Sequence, residues 1–146
     1  MGIAYRLEPT LALTVTVFDG KITGDEWSAA VRELFANPAW PPGRLALTDL
    51  RTVDISGVTD AHRTEIHALN TLHAHKLVRM KSAAVGGAHF ETARRFGRDD
   101  RSSGLRIIPF DGLEPACAWL GIDALTARAI IDDLRRQLRD PTSVSA

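Results

Sequence analysis

Residues 11–18, Leu-Ala-Leu-Thr-Val-Thr-Val-Phe, alternate apolar with small or β-branched polar side chains, which predicts a strand with one buried face. Residues 3–7 predict a preceding strand, joined to it by a turn at Glu8-Pro9-Thr10. Asp19-Gly20 predicts a turn at the far end. The period then changes. Trp27, Ala30, Val31, Leu34 and Phe35 recur at helical spacing behind Thr23-Gly24-Asp25-Glu26, whose outer residues fit a capping box. Asn37-Pro38 ends that helix, because the residue before a proline is driven out of the α region.

Residues 44–50 predict a largely buried central strand. A loop over 51–58 leads to Thr59-Asp60, which offer side-chain caps for a second helix reaching about residue 75. The small residues 83–87 predict a short strand, 90–98 a helix, 99–104 a polar loop and 105–110 another strand. Residues 113–120 predict a helix stopped by Gly121. A final helix over 123–138 carries Leu125, Ile130, Ile131, Leu134 and Leu138 on its apolar side. Asp132 and Asp133 stand near Arg135 and Arg136 on its polar side. The order β-β-α-β-α-β-α-β-α-α predicts an α/β fold: a mixed sheet of about five strands with helices packed on it, plus an extra C-terminal helix. The expected division is a domain over 1–122, the additional helix over 123–139 and a flexible tail over 140–146.

Composition narrows the function classes. The 146 residues, 45 % hydrophobic and 25 % charged, suit one folded domain rather than a disordered chain. Eighteen Lys and Arg against eighteen Asp and Glu lack the basic surplus of a general nucleic-acid binder. The single cysteine, Cys117, excludes an internal disulfide framework and a cysteine-built zinc site. In an Ala-rich helix beside Trp119 it reads as a buried apolar residue. The first residues carry no targeting pattern, and the longest apolar stretch falls short of the roughly 18–20 residues that span a bilayer, so a cytoplasmic protein is expected.

Candidate chemistry is sparse. His62, His67, His73, His75 and His89 include no pair three or four residues apart. His62 and His73 share a helix face, but eleven residues separate them by about 16 Å, too far for one ion. No metal site and no cofactor is predicted. There is no Gly-x-Ser-x-Gly elbow, phosphate loop or Gly-x-Gly-x-x-Gly fingerprint, and Asp99-Asp100 reads as a solvated turn, so no catalytic residue is assigned. Charge is unevenly spread. Residues 1–75 carry a net −3, residues 76–106 a net +5 and residues 107–146 a net −2. Lys76, Arg79, Lys81, Arg94, Arg95 and Arg98 are therefore a candidate basic patch for an anionic partner.

Three phrases carry a family resemblance. Leu47-Thr48-Asp49-Leu50-Arg51 is similar to a third strand ending in an Asp-Leu-Arg-like phrase. Residues 82–96 are similar to a fourth strand and its helix, and residues 110–121 to a closing acidic turn and a helix ending Ala-x-x-Trp-Leu. Together the chain resembles the SpoIIAA-like family, with the STAS-domain fold of anti-sigma-factor antagonists, over most of residues 1–122. The resemblance implies a non-enzymatic regulatory or protein-interaction module. The better-known STAS proteins carry a phosphorylatable serine in an Asp-Ser-Ser-Gly-like loop at the start of the helix after strand three. Here Ser56-Gly57 matches, Ile55 stands where the other serine would be, and Ser56 also suits a turn.

Arg51, Ser56, Thr59, Asp60 and Arg63 are expected around the start of the second helix and are the candidate ligand- or partner-binding residues. Related STAS-like and CRAL-TRIO-like proteins imply an alternative, a carrier or sensor holding a small apolar or anionic ligand between helix and sheet. The apolar side of the final helix must cover either its own domain or a second copy, and a homodimer through it is expected.

Overall fold

Alternating side chains at the start of the chain pair Ile3–Glu8 (β1) with Leu13–Thr23 (β2) as antiparallel strands, Tyr5 opposite Thr16 and Leu7 opposite Thr14. A 3-10 turn over Pro9–Leu11 links them, and Ala12 takes the left-handed conformation at φ 52° that lets the chain reverse. Further on, Leu45–Gly57 (β3), Lys81–Val85 (β4) and Ile107–Phe110 (β5) add in parallel. The structure, a computed structural model, describes residues 2–91, 94–95 and 106–140. Its five strands lie in sequence order in one mixed sheet. The predicted α/β architecture is the observed one.

Helices cover both faces. Gly24–Ala36 (α1) begins at Thr23, whose Oγ1 accepts the Glu26 N–H at 3.0 Å. The expected capping box is only half formed, since a Glu26 carboxylate oxygen accepts the Gly2 N–H at 3.1 Å and ties β1 to the helix start. Asp60–Leu72 (α2) packs beside α1, so closely that a Cβ on Gly24 would fall 1.9 Å from the His62 ring. A short helix, Ala74–Leu77 (α3), leads into β4. On the opposite face lie Leu113–Leu120 (α4), stopped by Gly121 at φ 77°, and Ala124–Arg139 (α5).

Alternation sends Leu13, Val15, Val17, Leu47, Ala83 and Val85 to the α4–α5 side, where all are fully buried against Leu113, Cys117, Ile131 and Leu134. That layer is the main core. Helix α5 packs on β1 and β2 of its own chain and buries Ala127, Ile130, Ile131 and Leu134 there. The apolar side that needed cover is thus covered by its own domain. Leu125 does not belong to it: nine residues from Leu134 it sits about 180° around the helix, and it is 72 % exposed.

The remaining departures from expectation have physical causes. Residues 51–58 are not a loop, and Asp19-Gly20 is not a turn. Strand β2 continues through Gly20 (φ 70°) to Thr23 and pairs with β3 as far as Gly57, with a register shift after Val17. The apolar pair Ile22 and Val53 anchors this extension in the core. The second helix stops at Leu72, where the N–H of His73 turns back to the carbonyls of Asn70 and Thr71. Strand β4 ends at Val85, because Gly87 (φ 51°) opens a 3-10 turn. Phe90, Glu91, Arg94 and Arg95 are helical; the rest of the predicted helix over 90–98, the loop over 99–104, Leu105 and most of the tail lie outside the described residues.

Candidate functional site

The predicted cluster at the start of α2 separates into two places. Thr59 caps the helix: its Oγ1 accepts the His62 N–H at 3.3 Å, while His62 Nδ1 accepts the Thr59 N–H at 3.2 Å. The exposed Asp60 and the half-buried Arg63 form an i,i+3 pair at 3.8 Å, and Arg63 Nε is buried with no hydrogen-bond partner. The Ser56 N–H donates to Asp54 at 2.9 Å, which holds the Asp54 carboxyl below its usual range. These four groups are at the α2 end of the sheet and are engaged locally. Arg51 is not with them. Its Nε donates to Asp49 at 2.9 Å and a second nitrogen donates to the same carboxylate at 3.2 Å. This pairing raises the Arg51 guanidinium pKa.

Asp49 is the centre of an ion cluster that sequence reasoning missed. It is fully buried and accepts from both Arg51 and Arg135 of α5. Asp19 extends the cluster, accepting two bonds from Arg139 at 2.9 Å and one from the Thr52 hydroxyl at 2.6 Å. The Arg139 hydrogen bonds hold the Asp19 carboxyl below its usual range. A carboxyl whose folded pKa is depressed stabilises the fold above its unfolded pKa of about 3.9 and loses that contribution as pH falls through the lower folded value. Asp19→Asn is therefore expected to lower stability at pH 7 and to lower it less at pH 3, below the unfolded pKa. Urea unfolding at the two pH values measures it.

The predicted basic patch is also divided. Lys76 sits 5.6 Å from the Trp40 ring and, with Arg79, borders a groove completed by Arg44 and His75. Lys81 points to the other face, where its ammonium lies 4.4 Å from the Trp119 ring and donates to the Trp119 carbonyl in the last turn of α4. Arg94 pairs with Glu91 at 3.2 Å, Arg95 is exposed, and Arg98 lies outside the described residues. Alternation explains the split: it turns Lys81 away from the α2–α3 side. Cys117 is buried in the main core, and burial pushes its thiol pKa up. Among the described residues no group of three or more His, Cys, Asp and Glu could hold a metal ion. No helix among them is long and apolar enough to cross a membrane.

Among the described residues, an apolar pocket lies between α1, α2 and the sheet. There the alternate positions of β2, β3 and β4 are small. Register aligns Thr14, Ala46 and Ser82 in one row across the strands, and Thr16, Thr48 and Ala84 in the next. Thr16, Ala46 and Thr48 stay half-buried in central strands, while Val15, Leu47 and Val17 beneath them are fully enclosed. The apolar stripe that marks α1 in the sequence (Trp27, Ala30, Val31, Leu34, Phe35) is likewise only half-buried. Trp27 packs toward Phe18 and Leu50, and Leu34 and Phe35 pack toward Trp40, Leu77 and Met80, while the small residues of the sheet between them leave space unfilled. The result is a cavity of about 180 Å³.

Aromatic rings wall this cavity. Trp27 meets Phe18 edge-on at 5.9 Å, and Phe35 lies 4.9 Å from Trp40 and stacks on His73 at 4.2 Å. No lining residue is charged. Thr14 is a lining residue, and its Oγ1 is buried away from the open space with no hydrogen-bond partner. The signal was present in the sequence as Thr14, Thr16, Ala46, Thr48, Ser82 and Ala84, small residues at alternate positions of three strands. Their meaning depended on the register.

Comparison with known proteins supports the fold. No family model and no curated protein matches the chain. A similar solved structure is that of an uncharacterized protein from the DUF3478 family, with a SpoIIAA-like fold, from Shewanella loihica PV-4. It aligns over 82 % of this chain and 94 % of its own, with 19 % sequence identity and a TM-score of 0.54. The fold of the chain is SpoIIAA-like, as the resemblance of its strand and helix phrases implied.

Proposed function

We propose that this SpoIIAA-like, STAS-like chain is a non-enzymatic binding module that holds a small apolar ligand between the α1–α2 layer and the sheet. The cavity of about 180 Å³ carries this reading. Preformed, mostly apolar cavities with a few polar groups are the usual form of a small-molecule site. The uncharged lining favours an apolar ligand over an anionic one, because a buried charge without a partner is costly. The groups at the start of α2 support a phosphoserine switch less well. Thr59 is engaged in capping, Asp60 with Arg63, and Ser56 lies within β3 with its amide on Asp54.

Filling the cavity tests the proposal. Thr48→Phe puts a ring into the space from the centre of the sheet, and Thr48→Ile fills less of it at lower risk to folding. The wild type, incubated with a small-molecule extract and re-isolated, is expected to carry a bound mass in native mass spectrometry. Both variants are expected to lose it while keeping the wild-type circular dichroism spectrum. No bound mass on the wild type, or the same mass on all three, contradicts the proposal.

A further inference from the structure

At the end of the sheet opposite Ser56 and Thr59, cations gather without partners. Most of the described arginines meet a carboxylate. Arg44, Lys76 and Arg79 form no ion pair among the described residues. They line one open groove together with His75, Met80, Pro41 and Gly43, and no carboxylate stands in its lining. Only Met80 is shared with the lining of the apolar pocket, so this second site does not rest on the ligand proposed there.

The fold holds these charges together. Lys81, the first residue of β4, donates its N–H to the Arg44 carbonyl at 2.6 Å, so the chain enters β3 and β4 side by side. Arg44 Nε donates to the Arg79 carbonyl at 3.2 Å, which fixes one edge of that guanidinium and leaves its other N–H groups to a ligand. Along α3 and the turn after it, His75, Lys76 and Arg79 take the outer side, because Leu77 and Met80 are buried with Trp40. Lys76 is steadied over the Trp40 ring.

Like charges held together without a counter-ion repel one another, and a multiply charged anion relieves that repulsion. A guanidinium fork matches the oxygens of a phosphate group two at a time, and an ammonium adds a point charge. One phosphate group carries at most about two negative charges at pH 7, against three permanent cations here, so two linked phosphates are the better match. A concave site suits a discrete ligand better than a flat lipid surface. We propose that the groove between α3 and the start of β3 binds a soluble ligand through a pyrophosphate-type group, held by Arg44, Lys76 and Arg79.

Titration of the full chain with pyrophosphate at constant ionic strength, followed by amide chemical shifts, tests this. Saturable binding is expected, with the largest shifts at Arg44, His75, Lys76 and Arg79, and orthophosphate is expected to bind more weakly. Arg79→Gln keeps the backbone carbonyl that Arg44 uses, so the fold is expected to hold by circular dichroism. It is expected to weaken pyrophosphate about tenfold or more, the usual effect of losing a charge-assisted hydrogen bond. Arg95→Gln removes an exposed cation beyond the far end of β4 and is expected to change nothing. Equal losses in Arg79→Gln and Arg95→Gln would reduce the effect to net charge and overturn the site. Shifts spread over the surface without saturation, or no binding, would overturn it as well. Sedimentation with vesicles of equal parts phosphatidylcholine and phosphatidylglycerol tests the other source of phosphate. Protein carried down by vesicles without any binding of pyrophosphate would overturn the soluble ligand in favour of a lipid surface.

Discussion

Asp49→Ala is expected to lower the free energy of unfolding by about 3–5 kcal/mol, the usual loss when one partner of a buried ion pair is removed. The Asp49 side chain is fully enclosed and receives Arg51 and Arg135 together. Removing it leaves Arg135, only 15 % exposed, beside a void with only its longer ion pairs to Asp19 at 3.8 Å and Asp132 at 3.7 Å. Arg51, at 32 %, can turn toward water and adds less. The double variant Asp49→Leu with Arg135→Leu is expected to cost much less than Asp49→Ala, since apolar side chains then fill the space and no guanidinium is left half-paired inside. Urea unfolding of the three proteins measures both effects. A loss below about 1 kcal/mol for Asp49→Ala would mean that the cluster is peripheral to stability.

Ile131→Ala is expected to cost a further large amount, about 2–5 kcal/mol, from lost burial and the cavity left behind. Ile131 is fully buried where α5 meets β1, β2 and α4. This reading makes the C-terminal helix a layer of the domain, bolted by Arg6 to Asp133 at one strand and by Arg135 and Arg139 to Asp49 and Asp19 at others. It also predicts that the unfolding midpoints of the wild type and of Ile131→Ala do not depend on protein concentration. A stability that came from a second copy on this face would rise with concentration. Midpoints that move with dilution would therefore return α5 to the role of a dimer helix.

The legible parts of this fold were those governed by neighbours in sequence. Alternation at Leu13 to Phe18, the cap at Thr23, the stop before Pro38 and the Gly121 terminus all act within a few residues, and each was read correctly. The extension of β2 and β3 was misread because the local signal at Asp19-Gly20 points to a turn. What overrides it is pairing of Asp19 with Thr52, 33 residues away. Asp49 stood in a recognised phrase, but its burial depends on Arg135, 86 residues distant.

The candidate site shows the same limit. Thr14 and Thr16 were visible as the polar half of an alternating strand, and residues 83–87 as a run of small ones. Nothing local tells that Ala46 aligns with Ser82 and Thr48 with Ala84, and a shift of one residue would have put leucines there instead. The α1 stripe is legible as one helix face, but nothing local tells that Trp27 and Phe35 pack on Phe18 and Trp40 while the small residues of the sheet between them leave a pocket.

The direct test of that space is a crystal structure of the protein under xenon pressure, since xenon enters apolar cavities that water leaves dry. The account predicts a xenon atom between the α1 stripe and the Thr16–Thr48–Ala84 row, with none in the Leu13–Leu47–Val85 layer on the other face. Trp27, Leu34 and Phe35 closed down onto Thr16 and Thr48, with no xenon between them, would contradict it.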